Sequence, residues 1–247
     1  MKKEQDQLEG RNLVIEVINR KKRRIRRILM DKSVRKDGKI EHILGFAHKT
    51  KIPVKFVHRN VLDEKSIGGV HNGVIAFADP LPEFTTEELI DESFQKDEHP
   101  FFLLADELNY EHNLGSILRS SAGAGVQGII IPKKRGKGTT PVVQRVAMGG
   151  AEIVPVVREG ISSAISKLKK AGIRVVGADM GGKPLFDVDL RGAVAIVMGG
   201  ESKGLSPTLK NKCDAIVSIP LANNLESLNV GVSAAVILYE KRRQDMT

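Results

Sequence analysis

The sequence predicts an α/β protein in two parts, a small front domain and a larger domain built on a parallel sheet. Three observations predict it. Short β-branched runs alternate with stretches of helical periodicity along nearly the whole chain. The run Phe101-Phe-Leu-Leu-Ala105 is apolar at every position, as suits a parallel strand covered on both faces. Charge is also partitioned: residues 1–78 carry a net +10 and residues 79–99 a net −7, within a total of +9 over 247 residues. The expected division is therefore a front domain over 1–78, an acidic linker over 79–99 and a second domain over 100–247.

Composition narrows the class. A hydrophobic content of 41% supports real cores, and no apolar run approaches the ~18 residues of a membrane span. Met1-Lys-Lys-Glu-Gln-Asp has no apolar leader segment, and its acids argue against a transit peptide. The lone Cys213 excludes an intramolecular disulfide and fits a reducing cytosol, so a cytoplasmic protein is expected.

In the front domain Asn12–Asn19 reads as a helix and Ile25–Met30 as a strand. Ile40, Ile43, Leu44 and Ala47 recur at helical spacing over Ile40–Lys49. Val54–Val57 is a strand, Val61–Ile67 a short helix and Val74–Ala78 a last strand. The excess positive charge is densest at Arg20-Lys-Lys-Arg-Arg-Ile-Arg-Arg27, a run suited to phosphate contact. Arg23, Arg24, Arg26 and Arg27 are accordingly the expected contacts for nucleic-acid phosphate, and a solvated face is the bland alternative. From Asp79 to His99 the chain holds two prolines and eight acids, with Thr85 or Thr86 placed to cap one short helix. It reads as a tether carrying one loosely packed helix.

The second domain continues from Ala105 through a loop to Asn113, expected to cap a helix that buries Leu114, Ile117 and Leu118 and ends at Gly123 and Gly125. Strands follow at Gly128–Ile131, Ile153–Val157, Ile173–Val176 and Val194–Met198, and helices at Pro141–Met148, Ile161–Lys170 and Pro207–Cys213. The last stretch is the strand Ile216-Val-Ser-Ile219, a polar loop to Ser227, and a helix from Leu228. That helix is apolar on almost every face, so it belongs in a core or at a subunit contact. Ser227 and Asn229 are expected at its first turn, where free N–H groups favour anions.

Cofactor and catalytic classes can be excluded by residue type. No glycine follows Ala105 until Gly115, so the turn of a dinucleotide fold is missing. Gly136 and Gly138 lie in a basic loop without the lysine and hydroxyl pair of a P-loop. No Cys/His cluster has metal-ligand spacing, and Cys213 sits in a polar segment suited to a structural thiol. The turns that follow strands are instead Gly177, Gly199-Gly200 and Pro220-Leu-Ala, and glycine there admits a ligand close to the backbone.

Three stretches carry a resemblance. Asn113-Leu-Gly-Ser-Ile-Leu-Arg-Ser-Ser-Ala122, Ile196-Val-Met-Gly-Gly-Glu-Ser-Lys-Gly-Leu205, and Ile219-Pro-Leu-Ala with Ser227-Leu-Asn-Val resemble the three ordered motifs of the SpoU (TrmH-type) ribose 2′-O-methyltransferases of the SPOUT superfamily. The turn Gly68-Gly-Val-His-Asn-Gly73 resembles the His-Gln-Gly turn of the family's RNA-binding domain, with Asn72 where glutamine is usual. The sequence departs from the family at Tyr110-Glu-His before the first motif, at Ser202-Lys-Gly after Glu201, and at Gly231 after the third motif.

The resemblance implies a parallel sheet closed into a deep trefoil knot, which physical rules of chain topology would not suggest. It implies S-adenosylmethionine as cofactor, lined by Gly199, Ile219 and Leu228, and a homodimer packed through the knots. It implies catalytic roles for Arg119, Asn113, Glu201, Ser227 and Asn229, and an RNA contact at His71. Arg119 is expected to stabilise the developing 2′-alkoxide as a fixed cation, because a guanidinium does not give up its proton in proteins. The expected activity is 2′-O-methylation of a ribose in structured RNA, ribosomal RNA before tRNA. A non-catalytic RNA-binding or ribosome-assembly protein is the alternative, and a small-molecule enzyme would leave the basic front domain unexplained.

Overall fold

A computed structural model describes residues 5–133, 138–200 and 204–247. In chain order the first elements are β1 (Asp6–Glu9), α1 (Arg11–Arg20), β2 (Ile25–Asp31), α2 (Gly38–Thr50), β3 (Val54–Val57), α3 (Arg59–Lys65), β4 (Val74–Ala78) and α4 (Thr86–Phe94). Then come β5 (Phe101–Ala105), α5 (Glu111–Ala124), β6 (Gly128–Ile131), α6 (Pro141–Ala147), α7 (Gly150–Ile153), β7 (Val156–Arg158) and α8 (Ile161–Lys170). The last are β8 (Arg174–Pro184), β9 (Val194–Met198), α9 (Pro207–Lys210), β10 (Ala215–Ser218) and α10 (Val230–Asp245). Among the described residues no helix is long and apolar enough to cross a membrane.

Contacts divide the chain differently from the division drawn on composition. Met1–Pro82 groups with Thr139–Glu152, and Glu83–Gly138 groups with Ile153–Thr247.

In the front unit the described strands form a mixed sheet in the order β1-β4-β2-β3, with only the β2–β3 pair parallel. Helix α1 buries Leu13, Val14, Val17 and Ile18 on one stripe, and α2 buries Ile40, Ile43 and Ala47 against the same core. The Asp37 carboxylate starts α2 by accepting from the N–H groups of Lys39 and Ile40 at 3.1 and 3.0 Å. Strand β1 escapes sequence reading because Asp-Gln-Leu-Glu has a single apolar residue; its place comes from pairing with β4.

Arg23 explains why Thr139–Glu152 joins this unit. Its side chain is buried and donates to Asp6 at 2.5 Å, to Gln144 at 2.6 Å and to the buried carboxylate of Glu152. Burial pushes the Glu152 carboxyl above its usual range, and Arg23 pulls the other way. The expectation that Arg23 contacts RNA is thereby overturned, since its guanidinium is spent inside the fold. Arg23→Ala should cost about 3–5 kcal/mol of stability, because it strands a buried carboxylate. Arg24→Ala, at an exposed position, should stay within about 0.5 kcal/mol. Urea unfolding of the full chain separates the two.

In the second unit the described strands form an all-parallel sheet in the order β10-β8-β9-β5-β6-β7. Strands β5 and β9 are buried at every position, as their sequences require. Helix α4 is no loose tether. Leu89 and Ile90 are buried in this unit's core, a gain of about 1.5–3 kcal/mol for each such side chain. A Cβ on Gly128 would fall 2.2 Å from Leu89 Cδ2, so the glycine makes room for the helix. Thr85 caps α4, and Thr85 with Glu88 forms a capping box.

Among the boundaries that move, two bear on the sheet. Ile153, expected to begin a strand over Ile153–Val157, instead ends the short helix α7, and β7 starts only at Val156. Strand β8 runs on to Pro184, because β10 pairs with it twice, first at Val176 and Gly177 and then, after a break in register, at Lys183 and Pro184. The residues between, 178–182, stand out from that pairing.

Candidate active site at the carboxyl edge of the parallel sheet

The loops that leave β5, β9 and β10 meet at the carboxyl edge of the sheet. After β5, the Asp106 N–H donates to Met198 O at 3.0 Å, which ties this loop to the end of β9. After β9, Gly200 and Gly204 form an antiparallel bridge with both N–H to O distances at 3.1 Å. A Cβ on Gly199 would lie 2.2 Å from Gly204 C and 2.4 Å from Leu205 N. A Cβ on Gly182 would lie 2.5 Å from Val217 C. Backbone thus passes backbone at van der Waals distance, and only glycine permits it.

Asp179, in the outstanding segment of β8, holds this arrangement and is the residue that sequence reasoning missed. Its carboxylate accepts from Leu205 N–H at 3.2 Å, from Lys210 Nζ at 2.8 Å and from Gly181 N–H at 3.4 Å. Burial alone would raise its pKa, but Lys210 and the two N–H groups hold it below the usual carboxylate range. The signal in sequence is only an aspartate after a strand, too common to single out.

Helices α5 and α10 complete the edge. Ser116 of α5 lies against Gly231 of α10, where a Cβ would be 3.3 Å from Ser116 Cβ. Further along, Tyr239 Oη crosses α5 at Gly123, 2.6 Å from where a Cβ would stand. At the near ends, Asn229 Nδ2 donates to Asn113 Oδ1 at 3.1 Å. Asn229 Oδ1 accepts from Gly231 N–H at 2.8 Å and Val232 N–H at 3.4 Å, so this side chain both caps α10 and binds α5.

Of the expected catalytic residues, the structure brings Asn113 and Asn229 together across 116 positions of sequence. Two local expectations are corrected. Tyr110 occupies the N-cap position of α5, which puts Asn113 within the first helical turn. Asn229 is itself the N-cap of α10, and Ser227 precedes it on an exposed loop. Arg119 lies on the exposed side of α5, on the stripe of His112 and Ser116. No hydrogen bond or ion pair ties Arg119 to another described residue. Glu201, with Ser202 and Lys203, lies outside the described residues, as does Gly136. Of the expected cofactor residues, Gly199 is buried, and Ile219 and Leu228 are half-buried at the two ends of the loop after β10.

In the front unit, Arg24, Arg26 and Arg27 are exposed, but Arg26 is held by Asp79 through bonds of 2.6 and 2.8 Å, and Arg27 lies 4.1 Å over the Phe77 ring. His71 is buried. Its Nδ1 accepts from Gly73 N–H at 3.0 Å and its Nε2 donates to Asp63 at 2.8 Å. With both ring nitrogens occupied, His71 shapes the turn and offers RNA nothing; that expectation is corrected. Cys213 Sγ donates to Leu209 O at 3.2 Å, and burial, with Asp214, pushes the thiol up to about 11, so no thiolate nucleophile is available. Among the described residues no cluster of metal-binding side chains occurs.

A parallel sheet whose carboxyl edge is lined by glycine-bearing loops and helix N-termini defines an α/β domain built to hold a nucleotide-like ligand through peptide groups. The SpoU rRNA Methylase family matches residues 100–239, and the RNA 2′-O ribose methyltransferase substrate binding family matches residues 7–84. The 23S rRNA (guanosine-2′-O-)-methyltransferase RlmB of Haemophilus influenzae is 34% identical over 242 residues, covering 97% of this chain and 98% of that one. RlmB of Escherichia coli K12 is 34% identical over 212 residues, covering 85% and 87%. The SpoU methyltransferase AviRb of Streptomyces viridochromogenes shares the fold, with a TM-score of 0.82 at 23% identity over 98% of this chain and 90% of that one. The chain belongs to the SpoU rRNA Methylase family.

Proposed function

We propose that the protein transfers the methyl group of S-adenosylmethionine to the 2′-hydroxyl of a ribose in RNA, with a guanosine of 23S ribosomal RNA as the expected target. The observation that carries this is the joined pair Asn113–Asn229, which sets two of the family's motifs side by side at the carboxyl edge of the sheet. Family membership supplies the reaction class, and the glycine edge suits the cofactor. Gly199 brings the β9 loop against Leu205, leaving peptide groups rather than bulky side chains to line the ligand. Ile219 and Leu228 would close the lining from the loop after β10.

The cofactor, when bound, supplies the activated methyl carbon. What remains for the chain is to place the ribose, exclude water and stabilise the oxygen as it loses its proton. Arg119, a permanent cation without a partner among the described residues, meets the developing alkoxide and the adjoining phosphate. Asn113 and Asn229 orient the ribose, Ser227 contributes from the loop after β10, and Glu201 keeps the role that the family motif implies for it. The front unit receives the RNA and the second unit performs the transfer, in the cytoplasm where ribosomal RNA is made. We place the family's trefoil knot at β8–β10, where the register breaks.

The working form is a homodimer. Val232, Ala235, Val236 and Tyr239 form a stripe at helical spacing on α10, and Val232 and Tyr239 remain 51% and 52% exposed. The face opposite, Ala234, Ile237, Leu238 and Lys241, is buried in the chain's own unit. Val232→Glu should therefore halve the sedimenting mass and remove methyl transfer together; an active parent monomer would contradict the dimer. The function itself is tested by incubating ribosomal RNA with isotope-labelled cofactor and mapping the modified ribose. Label on a 2′-oxygen is the expected result. RNA binding with no transfer would identify a non-catalytic RNA-binding protein instead.

A further inference from the structure

The front unit carries cations at both ends of its sheet, and the two ends differ in kind. Where β2 begins, Arg23 is buried, Arg26 is held by Asp79, Arg27 covers Phe77 and Arg20 lies 3.7 Å from Glu16. The remaining Lys21, Lys22 and Arg24 share that end with Asp6, Glu16 and Asp79.

The far end is built from the segment 32–37 after β2 and the turn 66–73 before β4. They lie side by side. The Asp31 N–H donates to Gly73 O at 2.9 Å, and a Cβ on Gly73 would fall 2.8 Å from Val34 Cγ2. Arg11 joins them, donating to Asn72 O at 2.9 Å and to Asp37 at 2.6 Å. On this segment Lys32, Arg35 and Lys36 are exposed and have no ion pair among the described residues.

The turn beside them is held from beneath. Glu9, wholly buried, accepts from Ile67 N–H at 2.7 Å, from Gly68 N–H at 3.1 Å and from Ser66 Oγ at 2.8 Å. His71 fixes the other side through Gly73 and Asp63. Gly69, Asn72 and Gly73 take φ of 68°, 48° and 82°, the left-handed backbone that a compact turn requires. All this holds out two apolar side chains: Ile67 is 66% exposed and Val70 42%. A flexible loop would let such residues collapse onto the surface, whereas this one keeps them outward.

Free cations beside a rigid apolar pair match a ligand that offers both phosphates and flat apolar faces. Uniform duplex RNA hides its base faces; loops and bulges expose them. We propose that this edge of the front unit is the RNA-docking surface, with Lys32, Arg35 and Lys36 on the RNA backbone and Ile67 and Val70 under bases that have left the stack. The Arg20–Arg27 run is then secondary. This rests on the reading that the protein acts on RNA, and it deepens that reading by naming the face and the kind of RNA.

The test uses the full-length protein and two fluorescent RNA probes, a hairpin with a loop of about eight nucleotides and a fully paired duplex, titrated across a salt series. K32E/R35E/K36E should weaken hairpin binding by about tenfold or more and lower the salt slope by about 2, near 0.7 per lost single-strand phosphate contact. I67S/V70S should weaken hairpin binding several-fold, keep the slope and abolish the preference for hairpin over duplex. K21E/K22E/R24E, at the other end, should change binding by less than about threefold. K32Q/R35Q/K36Q must follow the same order, and the urea unfolding midpoint of every variant must match the parent, which excludes misfolding of the front unit. A larger loss at the Lys21 end overturns the proposed face. Unchanged RNA binding by I67S/V70S overturns the base-docking role and makes the apolar pair a protein contact. Failure of the parent to methylate ribosomal RNA would strike the functional reading alone, since docking is read without the transfer step.

Discussion

Arg119→Ala is expected to lower the methyl-transfer rate by about 10²–10³-fold, the usual loss for removing one group that stabilises a developing oxyanion. Cofactor affinity and the proposed dimerisation should stay within about twofold of the parent, because the proposed interaction arises only as charge develops on the ribose oxygen. The physical reason lies in the position of Arg119: exposed on α5, beside the face that meets α10, and without a counter-ion among the described residues. A guanidinium in that state is a standing positive charge, not a base. Arg119→Lys should recover less than about a tenth of the lost rate, since an ammonium lacks the planar fork that grips alkoxide and phosphate together. Single-turnover transfer with saturating cofactor reads the effect directly. An alanine variant with parental rate would remove Arg119 from the chemistry and leave it a surface residue.

Gly199→Ala should be the most damaging single methyl group in the second unit. The added Cβ would stand 2.2 Å from Gly204 C, 2.4 Å from Leu205 N and 2.5 Å from Gly204 O. These are backbone atoms, and no rotamer change relieves them. Nor are they free to retreat, because Gly204 is bridged to Gly200 and Leu205 is bonded to Asp179. Overpacking of this kind costs about 1–3 kcal/mol, and here any relaxation must come from the loop proposed to line the cofactor. We expect a lower urea midpoint and cofactor affinity reduced by at least about tenfold, which corresponds to about 1.4 kcal/mol. Gly181→Ala is the matched control, since its Cβ would meet nothing within 4 Å. Calorimetry showing parental affinity for Gly199→Ala would break the link between that loop and the cofactor.

Much of this protein can be read locally. The apolar run Phe101–Ala105, the helical spacing at Ile40, Ile43 and Ala47, and the β-branched strand Val74–Ala78 each specify their element within a few residues, because propensity and periodicity act over one turn or one pleat. The order of the motifs also identifies the family, since residues under chemical constraint recur at readable spacing. These features depended on near neighbours only.

Tertiary structure decided whatever depended on distant partners. Arg23 and Arg24 are adjacent and chemically alike, yet one is buried by Asp6, Gln144 and Glu152 while the other faces water. No local property separates them; the partners lie up to 129 positions away. His71 was legible as a turn residue, but its burial follows from Asp63 and from the sheet it closes. Helix α4 looked solvated by its acids, and Gly128, 39 positions beyond Leu89, supplies the space that buries it. The Asn113–Asn229 pair and the clasp of Asp179 on Leu205 arise in the same way. A site assembled from strand ends is specified by which ends the sheet makes neighbours, and that order, β10-β8-β9-β5, is a property of the closed sheet rather than of any stretch within it.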